Sequence, residues 1–429
     1  MTRRRTTRPG DPMATSTDTQ HTATTPGGTP AERLVEPDYG LLEPLDVDYA
    51  GAFAGATEAD REHWATVRTF VQDDVLPVID GYWERAEVPR ELIARLGELD
   101  LLRESVDVPG HPKHSPLADG LASMEMSRGD GSVATICGVQ GGLALRSIML
   151  LGSEEQKAEW GEPIARGEKL AAFALTEPTH GSDSVSLETT ATTVEGGYVI
   201  NGAKKWIGNG ANCDVSVVWA RGDDGQVHGY IVPQDSPGYE AKVIEGKVSL
   251  RAIHQAHITL TGVFVPSENL LPEARSFKDT SRVLGATRLS VAWSAVGHAT
   301  ACYETAVAYA KSRVQFGRPL AKSQMVQERL TSMLSTLTQM QLLVVAMTEQ
   351  DAAGTLTGPQ ASLTKYTCTR GAREIASVAR DMLGGNGILL QNRVARHFAD
   401  IEALHTYEGT ESVQALIVGR DITGMSAFA

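Results

Sequence analysis

The stretch Thr189-Thr-Ala-Thr-Thr-Val-Glu-Gly-Gly-Tyr-Val-Ile200 decides the fold class of the middle of the chain. β-Branched residues lead up to Glu195-Gly196-Gly197 and resume after it, a pattern typical of two strands joined by a tight glycine turn. Asn201-Gly202 and then Lys204–Ile207 follow at once and predict another turn and strand. Further short β-branched runs continue to Val265 without helical periodicity. The region therefore predicts an antiparallel barrel or sandwich.

Helical periodicity lies on both sides of this region. From Glu58 to about Arg166, apolar residues recur every three or four positions, as in the stripe Val67, Phe70, Val71, Val75 and Val78. After about Thr280 the same period returns in longer stretches, which usually pack as an antiparallel bundle. The predicted fold is mainly α with a central β domain. Its parts are an N-terminal helical domain (45–170), an antiparallel β-barrel (171–280) and a C-terminal four-helix bundle (281–429).

Residues 1–44 are predicted to form a disordered tail. The first 30 residues contain no Ile, Leu, Val, Phe, Tyr or Trp, so burial could not offset the entropy lost on ordering. Arg3-Arg4-Arg5 could begin a targeting peptide, but no apolar segment follows it. A solvated tail, or a protein that starts at Met13, is the favoured interpretation.

Composition narrows the class of ligand and the compartment. Lys and Arg number 39 against 53 Asp and Glu, a formal net charge of −14 that argues against nucleic acid as the main ligand but allows a local site for a small anion. The cysteines at 137, 213, 302 and 368 form no C-x-x-C, so no disulfide scaffold or metal site is expected. This use of cysteine predicts a cytoplasmic location. The chain has no run of about 20 apolar residues, so no membrane insertion is expected.

Two segments near the β region break the surrounding pattern. Phe173-Ala-Leu-Thr-Glu-Pro-Thr-His-Gly-Ser-Asp183 offers hydroxyls and backbone amides to a planar ligand or a diphosphate. The competing interpretation is a domain-joining loop whose Ser and Thr side chains cap turns. In Lys204-Lys-Trp-Ile-Gly-Asn-Gly210, a strand tryptophan could lie against a flat aromatic ligand or be an ordinary barrel core residue.

A third unusual segment combines Asp381-Met-Leu-Gly-Gly-Asn-Gly387 with His405-Thr-Tyr-Glu-Gly-Thr410. Glycine pairs allow a backbone to approach a ligand closely. No strand precedes the glycines, so this is not the Rossmann fingerprint. A helix that starts near Thr410 could face a phosphate. Taken alone, Glu408 is interpreted as an exposed loop carboxylate.

These three segments, in this order on an α–β–α layout, resemble the acyl-CoA dehydrogenase family over about residues 45–429. The runs Asp381–Gly387, Thr406–Thr410 and Gly419–Gly424 are most similar to the branch of glutaryl-CoA dehydrogenases and short-chain acyl-CoA oxidases. The resemblance implies an FAD-dependent oxidoreductase of fatty acid β-oxidation that acts on acyl-CoA. It also implies electron-transfer flavoprotein or O2 as the electron acceptor, and a homotetramer in which a neighbouring subunit completes the FAD site.

The resemblance assigns roles to individual residues. Glu408 matches the catalytic base, which removes the proton next to the thioester carbonyl while a hydride leaves for flavin N5. The positions that match FAD contacts are Phe173, Leu175, Thr176, Ser182, Trp206, Ile207, Gly208, Arg313, Gln324, Asp381, Met382, Leu383, Gly384, Gly385, Thr410 and Phe428. The positions expected near the substrate are Ser182, Ala134, Thr135, Arg251 and Arg288, of which the two arginines could instead be structural ion-pair partners.

Two departures from the family pattern affect the expected activity. Ala134 and Gly138 stand where glutaryl-CoA dehydrogenases carry an Arg and a Ser for the distal carboxylate, and a charge left unpaired there would cost several kcal/mol. A neutral, short- to medium-chain acyl group is therefore expected. Gly208 stands where most dehydrogenases carry Thr, and the space left beside N5 could admit O2. An acyl-CoA oxidase is thus the alternative, and a non-catalytic protein that binds flavin and acyl-CoA is a third hypothesis.

Overall fold

The computed structural model describes residues 38–45 and 47–427, so Phe428 and residues 1–37 lie outside the described part of the chain. Helices come first, then a curled sheet, then helices again. The helices before the sheet are α1 (Glu58–Phe70), α2 (Ile79–Arg85), α3 (Arg90–Glu98), α4 (Pro116–Gly129), α5 (Gly131–Cys137), α6 (Arg146–Leu151) and α7 (Glu154–Ala165). Two π-helical segments, Val71–Val75 and Gly138–Leu145, continue α1 and join α5 to α6.

The predicted stripe of the first helix is confirmed up to its π-helical turn. The side chains from Val67 to Val75 on this stripe are buried, whereas Val78 is exposed. The wider turn at Val71–Val75 shifts the face that the chain presents, so an α-helical period no longer holds at Val78.

The expectation of disorder up to residue 44 is wrong for its last residues. Tyr39 and Leu41 are buried in the core of the C-terminal helices. The Arg313 guanidinium donates a 2.7 Å hydrogen bond to the Tyr39 hydroxyl, and the Tyr39 ring meets the Tyr309 ring edge to face. An aromatic and an aliphatic side chain are enough to anchor a terminal segment, although that segment has no secondary structure of its own.

The sheet confirms the predicted hairpin. Its strands are β1 (Ala171–Ala174), β2 (Thr190–Val194), β3 (Gly197–Gly208), β4 (Val215–Gly222), β5 (Val227–Pro233), β6 (Tyr239–Val243) and β7 (Gln255–Pro266). β2 and β3 pair antiparallel across the glycine turn. Asn201-Gly202, however, continues β3 and is not a turn, because pairing with β7 resumes after a register shift whose extra residue lies on β7. A Cβ on Gly202 would lie 2.4 Å from the Thr189 hydroxyl oxygen.

The sheet is not purely antiparallel. β1 and β2 both run parallel to β4, while β4–β5, β3–β7 and β6–β7 are antiparallel. Both faces of β4 are buried: Val217 and Trp219 pack with the preceding helices, and Val218 packs inside the curled sheet. A strand covered on both faces has no polar alternation, so its partners and direction cannot be inferred from pattern alone.

The C-terminal helices are α8 (Phe277–Ser312), α9 (Gln324–Ala352), α10 (Gly358–Met382), α11 (Val394–Thr406) and α12 (Glu411–Thr423), with a short β8–β9 hairpin (Val314–Gln315 and Arg318–Pro319) before α9. The three longest helices and α12 match the predicted bundle. α11 was not predicted, and it carries the chain from the glycine run to Glu408.

Two described helical segments, Gly131–Leu151 and Gln324–Ala352, are long and apolar enough to cross a membrane by length and composition. The first has 56% of its most apolar window buried, as expected of a core helix, and the second has 28%. Such segments also occur in soluble proteins, so the absence of membrane insertion stays a prediction.

Candidate active site

Glu408 lies in the short turn between α11 and α12. Its backbone is left-handed, with φ of 52°, and Gly409 follows with φ of 83°. The Lys365 ammonium on α10 donates hydrogen bonds to the carbonyls of Tyr407 and Gly409, at 2.5 Å for the latter. The Gln414 side-chain amide donates to the Glu408 carbonyl at 2.9 Å. A non-glycine residue in this region is strained, and these bonds fix the turn that aims the side chain.

The Glu408 carboxyl group points towards α8. Oε2 accepts a 3.0 Å hydrogen bond from the Thr287 hydroxyl, and the charges of Lys365 and Arg288 lie nearby. Burial raises the pKa of Glu408, and Lys365, the Thr287 hydrogen bond and Arg288 offset only part of that rise. The interpretation of Glu408 as an exposed loop carboxylate is therefore wrong. Thr410, predicted to contact FAD, is the N-cap of α12 and accepts from the Val413 amide.

Beside this carboxyl group lies a cavity of about 450 Å³ between the N-terminal helices and α8. Ala134, predicted to be near the substrate, lines it together with Leu289. Thr135 is buried and lies within hydrogen-bonding reach of the Tyr407 hydroxyl. The structure thus brings Ala134, Thr135 and Glu408 to one region, although they come from opposite ends of the chain.

The turn after β1 lies beside the end of β3. The Thr176 carbonyl accepts a 2.8 Å hydrogen bond from the Lys205 amide, so these two predicted segments lie side by side. Trp206 is 53% exposed and has φ of 66°, which rules out the interpretation that it is a barrel core residue. Its indole offers an uncovered aromatic face, a suitable surface for a planar ring. Ser182 is exposed on the same turn.

Of the predicted FAD contacts on this side of the site, three have buried side chains. Phe173 and Leu175 pack in the core between the sheet and the helices, and Ile207 packs inside the sheet. Only their backbone groups are therefore available to a ligand. Gly208 is also enclosed, since a Cβ there would lie 2.7 Å from Val139 Cγ2. The missing threonine side chain at 208 thus leaves no open space, contrary to expectation, because Val139 fills it.

The remaining predicted FAD residues lie at the other end of α8. Arg313 contacts Tyr39, Tyr39 packs on Tyr309, and the Tyr309 hydroxyl accepts from the Asn386 amide. An ion pair of 2.7 Å between Arg329 and Asp381 joins α9 to α10 at the same end. The other predicted members are Gln324 at the start of α9, Met382 and Leu383 at the end of α10, and the exposed Gly384 and Gly385.

The Arg313 end of α8 lies far from the end that faces Glu408. Thr287 and Arg313 are 26 residues apart on the continuous helix α8, which at 1.5 Å per residue is roughly 39 Å. Backbone at Gly384 and Gly385 is open, with nothing within 4 Å of a Cβ placed on either residue, so a ligand could approach it closely.

The two arginines expected near the substrate have different surroundings. Arg288 is partly buried and contributes to the electrostatic field at Glu408. Arg251 donates to the carbonyls of Trp83, Glu84 and Lys247 at 2.8–2.9 Å and lies over the Trp83 ring. Within the described residues it makes no ion pair with Glu408. Its guanidinium is occupied by backbone carbonyls, which favours a structural role, although not through the ion pair expected for such a role.

The sequence did not single out Thr287 or Lys365, which hold the Glu408 carboxyl group and its turn. A signal for Lys365 exists in hindsight. It falls on the apolar stripe of α10 with Ala361, Cys368 and Ala372, and a lysine on a buried stripe must find a partner. Thr287 carries no comparable signal, because threonine is common on helix surfaces.

An exposed indole, a partly buried carboxyl group and an open glycine turn are compatible with an oxidoreductase that binds a flavin. Comparison with known proteins gives the family. The N-terminal, middle and C-terminal domains of acyl-CoA dehydrogenase match residues 57–168, 172–263 and 277–423. Short-chain specific acyl-CoA dehydrogenase of Rattus norvegicus is 32% identical over 362 residues, which cover 82% of this chain and 87% of that protein.

Two solved structures agree with this result. Glutaryl-CoA dehydrogenase from Mycobacterium smegmatis superposes with a TM-score of 0.86 at 40% identity, covering 88% of this chain and 98% of that one. A second structure of a glutaryl-CoA dehydrogenase from Mycobacterium smegmatis, in complex with FADH2, gives a TM-score of 0.85 at 36% identity, covering 87% and 97%. The chain belongs to the acyl-CoA dehydrogenase family, and it is an FAD-dependent oxidoreductase that dehydrogenates acyl-CoA.

Proposed function

We propose that this enzyme converts a short- to medium-chain acyl-CoA to the trans-2-enoyl-CoA, with Glu408 as the catalytic base. The observation that carries the proposal is the Glu408 carboxyl group, which is held in a strained turn, bonded to Thr287 and partly buried. Bound FAD supplies the acceptor for the β-hydride at N5.

The base has to remove a weakly acidic proton next to a thioester carbonyl. A carboxylate does this best when its pKa approaches the operating pH. Burial raises the pKa of Glu408 in that direction, while Lys365 and the Thr287 hydrogen bond lower it and so limit the rise. These groups support the assignment because they set both the position and the basicity of one carboxylate.

Charge in the cavity supports a substrate other than glutaryl-CoA. Ala134 and Gly138 supply no cation, but Arg103 and Arg146 line the cavity from other positions. Glu104 and Asp119 line it too, however, and a distal carboxylate of the substrate would face both of them. The expectation that glutaryl-CoA is disfavoured therefore remains, for a different reason.

We further propose a dehydrogenase that passes electrons to an electron-transfer flavoprotein. The Val139 side chain against Gly208 supports this acceptor over O2, because it closes the gap through which O2 could reach the flavin. A homotetramer is supported by the separation of the two groups of predicted FAD residues and by the sparsely buried α9. A cytoplasmic location is part of the same proposal.

The test is an anaerobic titration of the purified flavoprotein with acyl-CoA thioesters from butyryl to octanoyl and with glutaryl-CoA, followed by admission of air. Bleaching of the flavin by the unsubstituted thioesters, without stoichiometric peroxide after air, is the expected result. Peroxide equal to the acyl-CoA consumed would instead identify the oxidase. A yellow protein that no thioester bleaches would identify the non-catalytic binding protein, and more efficient turnover of glutaryl-CoA than of butyryl-CoA would contradict the proposed substrate class.

A further inference from the structure

The cavity beside Glu408 carries a carboxyl group that neither the fold nor the proposed chemistry requires. Glu104 lies in the loop between α3 and α4, with φ of 40°, and its side chain turns inward. A Cβ placed on Gly142 would lie 2.3 Å from Glu104 Oε2 and 3.7 Å from Thr287 Cγ2. Because Thr287 is the residue that bonds Glu408, the Glu104 carboxyl group lies only about one side chain away from the base.

Glu104 has no partner within the described part of the chain. No hydrogen bond or ion pair within 4 Å involves its carboxyl oxygens, and the same holds for Asp119, the other carboxyl group turned towards this cavity. Burial raises the pKa of Glu104 to about 7 and that of Asp119 to about 6. Ordinarily a carboxyl group that loses water gains a bond in exchange.

The cations of the cavity do not supply that bond. Arg103 spends its donors on Asp100 and on the carbonyls of Val106 and Pro112. Arg146 donates to the Gly142 carbonyl and the Ser105 hydroxyl, both at 3.0 Å. Arg146 Nη1 makes no hydrogen bond among the described residues, yet neither arginine bonds the carboxyl oxygens of Glu104 or Asp119. These two carboxyl groups are therefore unpaired acceptors in the cavity, and a ligand that brings a donor to them would be bound.

The position of Glu104 relative to Glu408 indicates which part of a bound substrate would carry this donor. A substrate whose α-carbon lies at Glu408 can extend its acyl chain past Thr287 towards the cavity, and Glu104 is the lining carboxyl group that lies near Thr287. Cys137, Leu289 and Trp293 supply apolar wall around it. An unbranched hydrocarbon chain would cover the Glu104 carboxyl group without bonding it, and the uncompensated desolvation would weaken binding.

We propose that the acyl chain accepted by this enzyme carries a hydrogen-bond donor, a hydroxyl or an ammonium group, towards its distal end, and that Glu104 binds it. This inference rests on the proposed function, since it assumes that acyl-CoA enters with its α-carbon at Glu408. It narrows the substrate class from plain acyl-CoA to a polar acyl-CoA, with Glu104 as the residue that sets specificity.

The test compares matched thioesters with the FAD-loaded enzyme. Each ω-hydroxyacyl-CoA of about four to eight carbons is paired with the unsubstituted acyl-CoA one carbon longer, so that a hydroxyl replaces a methyl group. ω-Aminoacyl-CoA thioesters form the ammonium arm. At one chain length or more, kcat/KM is expected to be roughly tenfold or more higher for a donor-bearing thioester than for its hydrocarbon match, as for a hydrogen bond to a charged group.

Variants at position 104 test whether Glu104 causes the preference for donor-bearing thioesters. Glu104→Leu should bring the ratio of donor-bearing to hydrocarbon kcat/KM to one or below, mainly through KM for the donor-bearing member. Glu104→Gln keeps the size and one acceptor oxygen, so it should keep part of a hydroxyl preference and lose an ammonium preference. Asp107→Asn is the matched control, because Asp107 lies on the same loop but is exposed and paired with Lys113, and it should leave both ratios unchanged.

The outcomes separate the two proposals. If hydrocarbon thioesters are preferred at every length, or if the ratio survives both Glu104 variants with FAD bound, the inference is wrong while the proposed function stands. If Glu104→Leu does not retain FAD, the Glu104→Gln variant decides through the ammonium and hydroxyl arms. If no thioester of either kind bleaches the flavin, the proposed function fails and the inference fails with it.

Discussion

Two regions of this molecule bury ionisable side chains, and they do so in opposite ways. In the interface between the N-terminal helices and α8, Glu304 accepts 2.9 Å bonds from both Arg128 and Arg393. Glu125 in the same network binds Arg128, and the charges of its arginine partners outweigh burial and hold its pKa below the usual value. At the active site, burial prevails and the pKa of Glu408 rises.

The difference distinguishes carboxylates that stabilise the fold from carboxyl groups that take part in catalysis. A carboxylate matched by cations is a poor base, because its negative charge is already stabilised. A carboxyl group that lacks full compensation costs stability but keeps its basicity, and such groups concentrate at functional sites. Substitutions in the two regions should therefore affect different measurements.

The largest effect on catalysis is expected for Glu408→Gln. The amide cannot accept the α-proton, so the rate of anaerobic flavin bleaching should fall by about 10²- to 10⁴-fold, the usual contribution of a positioned base. The variant should still bind FAD, as measured by its visible spectrum. Turnover at the wild-type rate would show that another group is the base.

Glu304→Leu should have the reverse effect. It leaves Arg128 and Arg393 buried without their shared partner, and breaking a buried ion pair costs about 3–5 kcal/mol. The free energy of unfolding of the holoenzyme, measured with urea, should fall by this amount while kcat per bound FAD stays near that of the wild type. Exposed Glu273→Leu, which removes only a surface ion pair, is the control for stability.

Lys365→Met tests whether the turn and the charge at Glu408 act together. It removes two hydrogen bonds to the backbone on either side of Glu408 and a cation that stabilises its carboxylate. We expect roughly tenfold lower kcat near neutral pH. Since the base works only when ionised, loss of the cation should also move the acidic limb of the kcat/KM profile to higher pH. A lower rate with an unshifted limb would limit the role of Lys365 to structure.

The smallest effect is expected for Thr287→Val. The hydroxyl bond to Glu408 lowers the pKa of that carboxyl group, so its removal should raise the pKa further. The rate should fall several-fold on the acidic side and recover as pH rises through the new, higher pKa. Thr287→Ser keeps the hydroxyl and should follow the wild-type pH profile; the same shift in both variants would point to packing instead.

Local sequence predicted the fold to the extent that elements depend on near neighbours. The glycine turn between β2 and β3, the helix after Thr410 and the long stripes of α8 to α10 follow from residues a few positions apart. Predictions failed where distant residues decide. Asn201-Gly202 has the composition of a turn but continues β3, because β7 keeps pairing with it beyond a register shift. The parallel pairing of β4 likewise depends on strands distant in sequence.

For the site, the sequence determined which segments carry the chemistry, because Glu408, the glycine run and the Trp206 strand differ in composition from their surroundings. Only the tertiary structure decided what surrounds them. Thr287 and Glu408 are 121 residues apart and bonded at 3.0 Å, and Glu104 comes close to Thr287 from a loop near the other end of the chain. The basicity of a carboxyl group and the polarity of a cavity depend on burial and on charges within a few ångströms, and these are set by packing rather than by sequence spacing.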